Sequence, residues 1–130
     1  MNWIDLVAAL AVLQFFAFGV LVGLARNRYG VHAPAVTGDP MFERNVRVHM
    51  NTLEQLVALL PALYLAARYW PAPWVAAAGA VYLVGRMVYR QAYLKDPRSR
   101  SLGFALSALP ILGLLGATVV GIGLDAVQGR

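Results

Sequence analysis

Four long apolar runs, separated by short polar connections, constrain what this chain can fold into more than any other feature. The first covers residues 3–24 and carries a single charge, Asp5. At about 1.5 Å of rise per residue it makes a helix of roughly 33 Å, enough to cross a hydrocarbon core of about 30 Å. It lacks a basic leader and is longer than a signal sequence's apolar stretch, so it is expected to be retained. The second run, 53–70, is entered through a polar helical stretch beginning at Phe42. The third, 74–94, carries Arg86 and Arg90 in its second half, and the fourth, 102–127, has no charge before Asp125. Composition agrees: 60% of the 130 residues are hydrophobic and 13% charged, against about 25% charged in soluble domains. The expected fold is all-α, an integral membrane four-helix bundle forming a single domain over 1–130. Its helices should lie near 3–25, 42–70, 73–95 and 100–127.

The connections differ in kind. Residues 25–41 hold Gly, Pro and Arg; 71–73 read Pro-Ala-Pro, a tight break between antiparallel helices. Residues 95–100 form a short basic loop. Pro61 and Pro110 fall inside apolar runs, where a membrane bundle tolerates them as kinks. Arg26, Arg28, Arg44, Arg47, Arg86, Arg90, Lys95, Arg98 and Arg100 gather near the first and third connections, leaving Arg68 and Arg130 for the opposite side. By the positive-inside rule the basic face is cytoplasmic and both termini lie outside, in a multi-pass protein (of the inner membrane in a bacterium). The net charge of +5 is then a topogenic signal with attraction for membrane lipid, and requires no nucleic-acid partner.

Charges inside the helices need a separate account, because ionisable groups at membrane depth usually face a bundle interior or a wet cavity. On the second helix Arg47, Asn51 and Glu54 are spaced i, i+4, i+7, which puts them on one face. Arg86, Arg90 and Tyr93 share a face of the third helix by the same spacing, with Tyr89 at its edge. Both stripes sit toward the basic end. They are expected to meet in one polar pocket, closed by Arg26 and the loop at Arg98–Arg100. An internal ion-pair network that sets helix register is the plain alternative. Against it, Glu43 and Glu54 are too few to neutralise Arg44, Arg47, Arg86 and Arg90 together with Arg26 and Arg100. Excess cationic charge invites an anionic ligand, and Glu54 suits an ammonium group. A ligand with carboxylates and one amine fits, and a γ-glutamyl peptide is one such molecule.

Other chemistries lack their parts. There are no cysteines, which removes disulfides, thiolate metal sites and a protein thiol nucleophile. His32 and His49 have no ligand cluster around them, so no metal site is expected. His49 points roughly 160° away from the Asn51–Glu54 direction on a helical wheel. No serine triad or glycine-rich phosphate loop is present.

The pattern Glu43-Arg44-x-x-Arg47-x-x-x-Asn51-x-x-Glu54, followed by an apolar helix with Pro61, resembles the MAPEG family, the membrane-associated proteins of eicosanoid and glutathione metabolism. Gly85-Arg86-x-x-Tyr89-x-x-x-Tyr93, the loop ending Arg100-Ser101, and Pro110 continue the resemblance over nearly the whole chain. Gln55 departs from it, standing where a tyrosine is found. The resemblance implies a homotrimer that binds glutathione as co-substrate between subunits. Arg47, Asn51, Glu54, Tyr89 and Tyr93 match glutathione-contacting positions of one subunit; Arg26, His49 and Arg100 match positions from its neighbour. Arg100 matches the arginine that holds the glutathione thiol as thiolate. The implied activity is glutathione S-transfer to a lipophilic electrophile, in detoxification, with peroxidase action on a lipid hydroperoxide as a companion. A non-catalytic lipid-binding or scaffold protein of the same fold is the alternative, and the retained Arg100 argues for the enzyme. A small multidrug transporter ranks last, because such proteins use an acidic residue deep in the first helix and Asp5 is at its end.

Overall fold

The computed structural model describes residues 2–129; Arg130, assigned above to the outer side, lies outside them. It contains four helices: α1 Trp3–Tyr29, α2 Pro40–Ala66, α3 Ala72–Lys95 and α4 Ser101–Gln128, with a 3₁₀ turn, Pro97–Ser99, before α4. Local signals set the ends. The Asn2 side chain accepts from Asp5 N at 3.1 Å and starts α1. α1 continues a turn beyond its apolar run, through Arg26 and Arg28, to a left-handed Gly30 (φ 69°). Cations in a last turn complement the helix dipole, and glycine takes that backbone conformation without strain. Asp39 caps α2, accepting from Met41 N at 2.9 Å and Phe42 N at 3.0 Å, and Pro40 occupies the first helical position. Both α2 and α4 run uninterrupted past Pro61 and Pro110.

The helices run up, down, up and down. At one end the close of α1 packs on the start of α2 through Val22, Ala25, Val31 and Phe42, and Arg44 Nη1 donates to Leu94 O at 2.9 Å, holding the end of α3. At the other end Tyr64 Oη donates to Asp5 Oδ1 at 2.8 Å, and Trp70 Nε1 to Ala117 O at 2.7 Å. Between them lies an apolar core from all four helices, with Val7, Leu59, Leu63, Tyr82 and Leu114 among its members. Three buried hydroxyls bond within their own helix: Thr52, Ser107 and Thr118 donate to carbonyls four residues earlier at 2.8, 2.7 and 2.8 Å.

The outside of the bundle is apolar as well. Only 28% of the most apolar window is buried in each of Trp3–Tyr29 and Pro97–Gln128, the two segments among the described residues that are long and apolar enough to cross a membrane. A soluble protein would bury such helices; here Leu13, Phe16, Leu112 and Val119 point outward, as lipid contact requires.

α3 packs most closely on α4, and two glycines permit it. A Cβ on Gly85 would lie 2.7 Å from the Leu106 carbonyl carbon, and one on Gly103 would overlap the Tyr89 backbone. This seam brings the start of α4 against the last turns of α3. Gly103→Ala should destabilise the bundle by about 1–3 kcal/mol through overpacking. The thermal midpoint in detergent checks this, with Gly113→Ala, where a Cβ meets open space, as the control expected to remain near the parent.

Candidate functional site

At the basic end, α2, α3 and the start of α4 enclose a cavity of about 420 Å³ lined by Arg47, Asn51, Tyr89, Tyr93, Arg100, Ser101 and Phe104. The i, i+4 spacing of Arg47 and Asn51 presents both to α3. Asn51 is buried and Arg47 exposed. The rings of Tyr89 and Tyr93 stack with centroids 5.5 Å apart, again one helical turn from each other.

Arg86 forms the floor behind this wall. It is fully buried, at 0% exposure. Its Nη2 donates to Asn51 Oδ1 at 2.9 Å, and its guanidinium lies 4.3 Å from the centre of the Tyr89 ring. One cation therefore holds an amide from α2 and a phenol from α3 in fixed relation. Its Nε and Nη1 have no hydrogen-bond partner among the described residues, and no carboxylate pairs with it there.

The α3–α4 turn positions Arg100. Asp96 accepts from Arg98 N at 3.0 Å, and Ser99 Oγ donates to Ala92 O at 3.0 Å. The turn is thus tied to the last turn of α3, and Arg100 emerges at the cavity wall as the N-cap of α4. Its guanidinium makes no hydrogen bond or ion pair among the described residues. The positive end of α4 adds to the same field.

Glu54 is not in the cavity wall. It pairs with Arg47 at 3.5 Å, both side chains being more than half exposed. A pair so exposed contributes about 0–1 kcal/mol. It does not serve as an internal network fixing helix register, and both groups are open to a ligand.

Two arginine expectations change. Arg26 does not close the pocket; it donates to Ala35 O at 2.6 Å and lies over the Phe42 ring at 5.0 Å, bracing the α1–α2 connection. Arg90 leaves the Arg86 face, its guanidinium resting 5.4 Å from the Phe18 ring on α1. Four residues advance a helix by about 400°, and the 40° excess, on a long side chain, turns Arg90 around α3. Arg100 lines the cavity of its own chain, as expected of the loop that closes the pocket. His49 faces α1 as its angle implied, stacked on Phe15 at 4.5 Å and with Nε2 3.0 Å from where a Gly19 Cβ would be. Phe104 went unnoticed in the sequence, though Ser101 and Phe104, spaced i, i+3 directly after the loop arginine, mark one face of α4. Together the residues offer two cations in the wall, a third behind it, phenol and amide donors, and a rim carboxylate. That set is suited to a small anionic molecule carrying one ammonium group, and the volume is that of a small-ligand site.

Known proteins resemble the chain over most of its length. The MAPEG family model matches residues 4–120. An uncharacterized protein of Synechocystis is 42% identical over 120 residues, covering 92% of this chain and 88% of its own. Human microsomal glutathione S-transferase 2 is 38% identical over 113 residues, covering 85% and 77%. Bovine leukotriene C4 synthase is 31% identical over 116 residues, covering 89% and 77%.

Proposed function

The chain belongs to the MAPEG family, and from that premise we propose that it is a membrane-bound glutathione S-transferase acting on lipophilic electrophiles. One observation carries the proposal: Arg47, Asn51, Tyr89, Tyr93 and an uncommitted Arg100 converge on a single cavity. The names of its relatives, a glutathione S-transferase and a leukotriene C4 synthase, support the same class of chemistry.

The donor set fits glutathione. Arg47 and the charge behind it suit the carboxylates, Glu54 the ammonium, and Asn51 and the two phenols the peptide groups. Bound glutathione supplies the thiol, which is the nucleophile a cysteine-free protein cannot provide. The task of Arg100 is to stabilise that sulfur as thiolate, since a cation beside a thiol raises its ionised fraction at neutral pH. Phe104, with the outward-facing Leu102 on the same helix, forms an apolar lip by which an electrophile arrives from lipid. A lipid hydroperoxide is a second electrophile for the same thiolate.

The family resemblance implies a homotrimer, in which a neighbouring subunit would cover the exposed Arg47 and Glu54. Arg26 and His49, both remote from the cavity of their own chain, are assigned to the neighbour's cavity by the family resemblance. Charge asymmetry favours the site facing the cytoplasm, with both ends of the chain outside.

Thiolate absorbance on adding glutathione to the detergent-purified protein tests the proposal. A signal is expected together with conjugation of an aryl halide; its absence would overturn the enzyme in favour of a lipid-binding scaffold. Glu54→Gln should weaken glutathione binding roughly tenfold, the loss usual for one charge-assisted hydrogen bond. Calorimetric titration reads it, and an unchanged affinity would place the ammonium elsewhere.

A further inference from the structure

A second cationic cavity lies at the same end of the bundle, between α1, α2 and α3, and shares no residue with the first. It measures about 470 Å³, and Arg28, Tyr29, Asn45 and Arg90 line it alongside Leu21 and Leu24. No carboxylate lines it. Arg90 Nη1 is buried and has no hydrogen-bond partner among the described residues, and neither arginine makes an ion pair there. Two cations without a counter-charge, one of them partly withdrawn from solvent, call for an anion.

The wall of this cavity shows what carries the anion. An apolar groove of about 570 Å³ runs along the α1–α3 seam, lined by Leu13, Ala17, Phe18, Val84 and Met87 among others. Leu21 lines both spaces. The Arg90 guanidinium rests on the ring of Phe18, itself a groove residue, so the charge stands where the apolar channel ends. Gln14 Nε2 donates to Leu83 O at 2.9 Å and joins the two helices along the groove. A free anion would use the cavity alone; a molecule with an anionic head and a hydrocarbon tail uses both. Basic pockets between membrane helices bind anionic headgroups in this way.

We propose that this face is a binding site for an anionic phospholipid, its phosphate held by Arg28 and Arg90 and an acyl chain lying in the α1–α3 groove. The site is independent of the glutathione cavity, and its occupancy ties α1 to α3 at the basic end.

The test is thermal unfolding and native mass spectrometry of the detergent-purified protein, with dioleoylphosphatidylglycerol, dioleoylphosphatidylcholine or inorganic phosphate added. The anionic lipid is expected to be retained and to raise the unfolding midpoint, and the other two to leave it near the parent value. Arg28→Gln, at the exposed rim, and Arg90→Gln should each lower affinity for the anionic lipid roughly tenfold, the usual loss for one charge-assisted bond. Arg90→Lys should retain most of it, and Ala17→Phe, which fills the groove without changing charge, should lower it. In Arg28→Gln the glutathione thiolate signal should persist, so that this proposal and the enzymatic one fail separately. Equal binding of the two lipids, an equal shift from phosphate alone, or unaltered selectivity in both Gln variants would overturn it.

Discussion

Arg100→Ala is expected to abolish the thiolate absorbance of added glutathione and to lower kcat/KM for aryl halide conjugation roughly 10²–10³-fold, the range seen when one preorganised donor to a developing or held anion is removed. The physical reason is the state of this side chain in the fold. It caps α4 without a side-chain capping bond, stands in the cavity wall, and spends none of its donors within the described protein. A guanidinium at the positive end of a helix provides a favourable local field for a thiolate. Because the residue is on the surface of the turn and holds no other part of the structure, the folded state should survive its loss. The midpoint of thermal unfolding should therefore stay near the parent value while the spectral signal disappears. Arg100→Lys should recover part of the signal, since it keeps the charge and loses the planar fork. Full thiolate absorbance in the alanine variant would remove this residue from the chemistry.

Arg86 should behave in the opposite way. Arg86→Ala is expected to lower stability by about 2–5 kcal/mol, as large-to-small changes at fully buried positions do. It leaves Asn51 Oδ1 without its donor and strips the cation from the Tyr89 ring. The glutathione Kd should rise as well, because Asn51 and Tyr89 lose the group that fixes them relative to each other. Arg86→Met separates the two effects. It retains most of the volume and so avoids the cavity, while Asn51 Oδ1 still loses its donor at a cost of about 1–3 kcal/mol. The methionine variant should therefore unfold between the alanine variant and the parent while still binding glutathione less tightly. Unfolding monitored by circular dichroism, with calorimetric titration beside it, reads both. A methionine variant with parent affinity would confine Arg86 to packing.

These predictions rest on features of unequal legibility. The apolar runs and the Pro and Gly punctuation announce four helices, because a helix spanning lipid must be apolar over its length and its ends must satisfy their own backbone groups. The stripe Arg47, Asn51 and Glu54 was legible for the same reason: spacing on a single helix fixes direction to within a narrow sector. The convergence of Tyr89, Tyr93 and Arg100 on that stripe was expected, and the cavity brings them together. Direction on one helix does not say what stands opposite. Arg86 and Arg90 looked equivalent, yet one is sealed beneath Asn51 and the other rests on α1 and opens into a separate cavity. Arg26 looked free to close a pocket and is instead engaged by Ala35.

What the sequence determined by itself, then, is local and periodic: the helix number, and the shared face of Arg47, Asn51 and Glu54 on the second helix. What the tertiary structure alone decided is the partition of the arginines. Gly85 and Gly103 let α3 and α4 approach until the start of α4 meets Tyr89, which places Arg100 in the wall while Arg86 is buried behind it. A guanidinium is flexible over several bonds, so its place is settled by which neighbour fills or leaves the space around it, and that depends on residues far apart in the chain.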